Sequence, residues 1–189
     1  MKSSAKRQPG YYPGYDILSQ QKFWDETTRA TVLKRVNQIP KIRFFSPEQA
    51  RLMEAVLARI LPQDDREINR QPRIPLLGTI DERLHSGRID GYRFEDMPPD
   101  REAYVLGLKA IDQIANSMHH RNFADLAIDE QEALLKSLHD GKPPAAHEIW
   151  ERLPVARFWM LLLQDAIEAY YAHPDAWNEI GFGGPAYPR

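Results

Sequence analysis

The chain has no cysteine among its 189 residues. Disulfides, thiolate nucleophiles and cysteine-ligated zinc or iron–sulfur centres are excluded, while either redox compartment is tolerated. A long clean apolar run is also missing. The most apolar stretch, 154–172, is broken by Arg157, Gln164, Asp165 and Glu168, whereas a membrane span needs about 20 predominantly apolar residues. No segment alternates apolar and polar residues over several positions, so the strand signal is absent, and no repeat is visible. Strong charge of one sign is lacking too: the formal net charge is −2, which gives no general pull toward nucleic acid. The basic N-terminus MKSSAKR has no apolar segment after it, as a secretory or twin-arginine signal requires. The expectation is therefore a cytoplasmic chain, periplasmic only if exported with a signal-bearing partner.

What charge there is lies unevenly. Residues 1–50 carry 9 Lys/Arg and 4 Asp/Glu, a net +5; residues 51–189 carry 16 and 23, a net −7. The plain reading is a solvated surface preceded by a basic arm. The first 23 residues place Tyr, Pro and Gly where a helix needs continuous formers, which predicts an extended arm docked through Tyr11, Tyr12, Tyr15 and Ile17.

Helix signals fill most of the chain beyond this arm. Residues 24–37 form a first candidate, with Asp25 and Glu26 in the first turn and Lys34 and Arg35 in the last, where each charge suits the helix dipole. Ser46-Pro47-Glu48-Gln49 reads as N-cap, first-turn proline and capping box, and Met53, Val56, Leu57 and Ile60 repeat behind it at helical spacing. After a polar loop at 63–75, Pro75 opens a helix that Gly87 closes. A turn at Asp90-Gly91 leads to a long helix from Pro99 to about His119, with Tyr104, Leu108, Ile111, Ala115 and Met118 on one face. Asp129 to Glu132 has the form of another capping box, followed by Leu134, Leu135 and Leu138, and a short helix lies near 146–153. The stretch from Pro154 has only a narrow polar stripe of Arg157, Gln164 and Glu168, which predicts a helix in the middle of a bundle. His173-Pro174 ends it, and the remainder, rich in aromatics, Gly and Pro, predicts an irregular tail.

These signals give an all-α fold: an irregular helical bundle with an extended N-terminal arm and an irregular aromatic C-terminal tail. The division expected is 1–43, an arm with one helix, and 44–189, a helical domain.

Candidate chemistry is sparse. His119 and His120 are adjacent and point to different sides of a helix, and His147-Glu148 lacks the second histidine of a zinc-protease motif. Asp64-Asp65 is followed by Arg66, Ile68 and Arg70 where a calcium loop needs acids. Gly181-Phe182-Gly183-Gly184 precedes no helix that could present N–H groups to a phosphate. Asp165 and Glu168, on the most apolar helix, are the one carboxylate pair that suggests acid–base work; the competing reading is an internal ion pair with Arg157 or a neighbouring base. No catalytic, cofactor-binding or metal residue is assigned. The tail rings Trp177, Phe182 and Tyr187, with Pro185, suit either a staple on the bundle or a protein interface, as do Tyr12 and Tyr15 of the arm.

Two stretches carry a family likeness: FFSPEQARLMEAVLARILPQDD from Phe44, and YYAHPDAWNEIGFGGPAYPR at the end. Over the core from Phe44 to Arg189 the chain resembles the gluconate 2-dehydrogenase subunit 3 family, the small or gamma subunits of flavin sugar dehydrogenases. The resemblance implies a non-catalytic accessory subunit with no cofactor of its own. The implied partner is an FAD-binding large subunit of glucose–methanol–choline type that oxidises a sugar or sugar acid, with a cytochrome as electron acceptor in some complexes. The small subunit would support folding, stability or export of the large one. No nucleic acid and no membrane span are expected. Many family members begin with a twin-arginine signal, which this sequence lacks. Two other classes stay open from the residues themselves: a helical enzyme with a carboxylate/His metal site around Asp165 and Glu168, and a homo-oligomeric scaffold.

Overall fold

The computed structural model describes residues 15–68, 71–89 and 96–184. Tyr12, Pro185, Tyr187 and the Asp90-Gly91 turn lie outside the described residues. Those described are helical, with no strand among them. A 3-10 turn at Ile17–Phe23 is followed by Glu26–Asn37 (α1), Pro47–Ile60 (α2), Asp64–Ile68 (α3), Leu76–Ser86 (α4) and Asp100–His119 (α5). After a second 3-10 turn at Phe123–Asp125 come Ile128–His139 (α6), His147–Arg152 (α7), Val155–Tyr171 (α8) and Pro174–Ile180 (α9). They divide into two compact units, one of Met1–Ile39 with Glu168–Arg189 and one of Pro40–Ile167.

In the unit Pro40–Ile167, local chemistry sets the helix starts. Gln49 N–H donates to Ser46 Oγ at 3.2 Å and Ser46 N–H donates to Gln49 Oε1 at 3.0 Å, the full capping box, with Pro47 at the first position of α2. Leu52, Met53, Val56 and Leu57 are buried. Gly87 ends α4 with φ 69°, a left-handed conformation that costs glycine nothing. Tyr104, Leu108, Ile111 and Ala115 of α5 are buried as their spacing predicts, while Met118 is exposed. An edge-to-face series of rings links Phe45 to Tyr104 at 5.9 Å and Tyr104 to Phe158 at 6.1 Å. Fully burying side chains of this size stabilises the fold by about 1.5–3 kcal/mol each.

Three expectations for this unit are corrected. The loop at 63–75 contains α3, and two of its polar residues, Gln63 and Arg66, turn inward. Gln63 is buried; its Oε1 accepts from Ile74 N–H at 2.8 Å and its amide donates to Ile74 O at 3.1 Å. Buried Arg66 donates through Nε to Pro72 O at 2.9 Å. These bonds satisfy backbone groups that a helix or sheet would otherwise pair. Helix α6 begins two residues earlier than predicted, on Ala127, and only half a capping box forms: Ala127 N–H donates to Glu130 Oε2 at 2.8 Å. Helix α8 is not enclosed by the bundle. It buries Phe158, Leu162, Asp165 and Ala166, while Met160, Leu163 and Ile167 are exposed.

In the unit Met1–Ile39 with Glu168–Arg189, the arm is not extended at Ile17–Phe23. Asp16 caps that 3-10 turn by accepting from Leu18 N–H at 2.9 Å. Asp25 is the N-cap of α1, accepting from Thr28 N–H at 2.9 Å, and Glu26 is the acid in the first turn. The tail is likewise not irregular at 174–180. Pro174 takes the first position of α9, Asp175 lies in its first turn, and Gly181 at φ 65° closes it.

Candidate partner interface and the buried polar network

Of the site residues expected near the termini, the described ones, Tyr15, Trp177 and Phe182, meet in the smaller unit. Ile17, Trp24, Val32 and Trp177 form its buried cluster, with Tyr15 and Leu18 packed at the margin. Trp177 sits on α9, and its indole N–H donates to Tyr171 O at 2.6 Å, so its polar edge is satisfied inside the fold. Asn178, the next residue, accepts from Ile17 N–H through Oδ1 at 2.7 Å. Arg35 of α1 donates to Ala172 O at 2.9 Å, satisfying a carbonyl just past the end of α8. Tyr170 OH donates to Glu179 Oε2 at 2.7 Å, tying α8 to α9.

Phe182 differs from Trp177. Its backbone N–H donates to Trp177 O at 2.9 Å, and its ring stands edge-on to the Trp177 ring with centroids 5.5 Å apart. Yet 45% of Phe182 is exposed. Gly184, at φ 85°, passes close to the same cluster: a Cβ there would lie 3.3 Å from Ile17 Cδ1 and 3.5 Å from Trp24 Nε1. The backbone conformation and the crowding both call for glycine. Trp177 thus anchors, Tyr15 borders the cluster, and Phe182 presents an aromatic ring outward.

The carboxylate singled out for acid–base chemistry has a different setting. Asp165 of α8 is buried in the larger unit, and its Oδ2 accepts from Arg83 Nη2 and, at 2.6 Å, from the Tyr104 hydroxyl. Arg83 of α4 also donates through Nη1 to Asp100 Oδ2 at 2.7 Å. Burial pushes the Asp165 carboxyl above its ordinary range, against the pull of Arg83 and Tyr104. Burial works against the Arg83 charge as well, but the two aspartates outweigh it and the guanidinium stays charged. Tyr104 is held well above the usual phenol value by burial and then by the Asp165 charge. Glu168, three residues on, is exposed. The arrangement is an internal ion pair with a hydroxyl donor, the competing reading of this carboxylate. Its base is Arg83, 82 residues away.

A second buried carboxylate escaped the sequence. Asp81 of α4 accepts from the backbone N–H groups of Arg43 at 2.7 Å, Phe44 at 2.9 Å and Phe45 at 3.0 Å. It fixes the chain just before Ser46 caps α2. Nothing in the spacing of Asp81 marks this role. Among the described residues, no three His, Asp or Glu side chains gather as a metal site. Gly181 closes α9, and Gly181–Gly184 follows that helix.

A family model for gluconate 2-dehydrogenase subunit 3 matches residues 47–184. The chain belongs to that family. The subunit 3 match runs from the first residue of α2 through α9 and Phe182, and stops at Gly184. It takes in Asp81, Arg83, Tyr104, Asp165 and Trp177; Tyr15, Ile17 and Trp24 stand outside it. No curated protein and no solved structure matches the chain. As a member of a numbered-subunit family, the protein has partner subunits implied by the family itself. Among the described residues, no helix is long and apolar enough to cross a membrane.

Proposed function

We propose that this protein is the non-catalytic accessory subunit of a heteromeric FAD-dependent sugar or sugar-acid dehydrogenase. Its partner is a flavin-binding large subunit of glucose–methanol–choline type, and it supports the folding, stability or export of that subunit. FAD belongs to the partner, which passes electrons on to an acceptor such as a cytochrome subunit. The observation that carries the reading is the subunit 3 match over residues 47–184.

Two features of the chain support it. The buried carboxylate best suited to acid–base work is engaged by Arg83 and Tyr104, the pattern of a structural pair. The half-exposed Phe182, braced on the buried Trp177, has the form of an aromatic anchor with a rigid base, the type enriched at interface centres. Phe182 and Tyr15 are the proposed partner contacts, with Tyr12, Pro185 and Tyr187 extending the same two segments in sequence; Trp177 braces the Phe182 ring from beneath. The test is to produce the tagged chain together with a flavin-binding dehydrogenase large subunit from the same source. A yellow flavoprotein retained on the tag supports the assignment, and a chain that purifies alone under those conditions contradicts it.

A further inference from the structure

The most apolar stretch of the sequence forms a helix that the fold covers on one side only. On α8, Met160 is 53%, Leu163 37% and Ile167 41% exposed. With 3.6 residues per turn, positions 160, 163 and 167 fall on one stripe, and exposed Ala156 continues it by one turn. Phe158, Leu162, Asp165 and Ala166 occupy the opposite side and are buried. A solvent-facing stripe on a soluble helix is ordinarily polar. Single exposed apolar residues need no explanation, but a contiguous row marks an interaction surface. Gln164 and Arg157 border the row on one side only.

Two facts point to the partner that covers it. The stripe lies inside residues 47–184, the part of the chain that matches a family defined as one subunit of a dehydrogenase. It is also narrow. A stable pairing of two identical chains buries about 800 Å² on each, more than three side chains and an alanine on one helix provide. A larger partner that grips the row in a groove and reaches past it on both sides does not meet that limit. Anchors at i, i+3 and i+7 are the spacing that a groove reads from one helix face.

We propose that Met160, Leu163 and Ile167 form a ridge that seats in an apolar groove of the flavin-binding large subunit. The proposal rests on the accessory-subunit reading above and assigns it a surface separate from the Phe182 ring.

The experiment places a photo-cross-linking amino acid at Leu163 in the full chain, co-produced with the flavoprotein. The same group at Lys136, on the exposed side of α6, serves as control. Cross-linking to the flavoprotein from 163 and not from 136 is the expected result. A Met160→Glu/Ile167→Glu double variant is expected to keep its own melting temperature while retaining less flavoprotein by about tenfold or more. If that variant fails to fold, the Leu163 cross-link decides alone. A complex that forms with no cross-link from 163, a cross-link to a second copy of the chain, or a folded double variant that retains the flavoprotein fully would each overturn the ridge and leave the accessory role standing. If the unsubstituted chain retains no flavoprotein, the accessory reading falls and the ridge with it.

Discussion

The Phe158 ring fills the space that a side chain on Gly107 would need: a Cβ at position 107 would lie 2.0 Å from Phe158 Cζ. Gly107 sits in the middle of α5, where glycine is unfavourable by about 1 kcal/mol relative to alanine. Its presence is explained by the close approach of α8. Gly107→Ala is expected to destabilise the chain by about 3 kcal/mol despite its better helix propensity, because the buried ring has to move. Adding Phe158→Leu should restore part of the loss. Denaturant unfolding of the two variants checks the coupling; a stabilised single variant would refute the packing.

Tyr104 supplies a pH signature. Its folded pKa lies well above the ordinary value of about 10. The folded state therefore keeps a proton that the unfolded chain releases. The stability this provides is complete below about pH 10 and is lost as pH rises beyond it. Tyr104→Phe removes the 2.6 Å bond to Asp165 and should cost about 1.5–3 kcal/mol at neutral pH, the range for a hydrogen bond to a charged group. The gap between wild type and variant should hold up to about pH 10 and narrow as pH rises beyond it. Thermal melts across that range test it, and a constant gap contradicts it.

Asp81 is expected to be among the costliest single positions. Asp81→Ala leaves three backbone N–H groups without their acceptor, for a loss of about 3 kcal/mol or more. Asp81→Asn, which keeps one acceptor oxygen, should fall between. Equilibrium unfolding gives the ranking, and hydrogen exchange at Arg43, Phe44 and Phe45 should accelerate in the same order.

In the smaller unit the two tail aromatics should separate. Trp177→Ala removes a buried ring and its bond to Tyr171 O, and should cost about 3–5 kcal/mol. Phe182→Ala, at a half-exposed site, should change stability by about 1 kcal/mol or less while weakening retention of the flavoprotein. Equal stability losses for both would make the tail a staple alone.

The sequence revealed the features that depend on neighbours along the chain. Ser46, Pro47 and Gln49 announced the start of α2, and Gly87 the end of α4, because caps and left-handed turns are local chemistry. The face of α5 from Tyr104 to Ala115 followed from helical spacing. The signals for α9 were equally local: Pro174 to start it, Asp175 in its first turn and Gly181 to stop it. Its seven residues were hidden among aromatics and glycines that read as irregular. The features that could not be read depend on distant residues. Asp81 reaches back 38 residues to Arg43, and Arg83 reaches forward 82 to Asp165; no spacing rule encodes either. The polar loop at 63–75 misled for a different reason: Gln63 and Arg66 look like solvated side chains, yet bond to the loop's own backbone and are buried. On α8, composition showed an apolar helix but could not tell which of its sides the fold would cover.

The accessory role is tested most directly by the flavin content of the large subunit, produced with and without this chain at matched expression. The account predicts that soluble, flavin-loaded, sugar-oxidising large subunit accumulates only, or far more, when the chain is present, and that the two proteins elute together. A large subunit that folds, loads flavin and turns over equally well alone, and elutes apart from the chain when both are present, would contradict it.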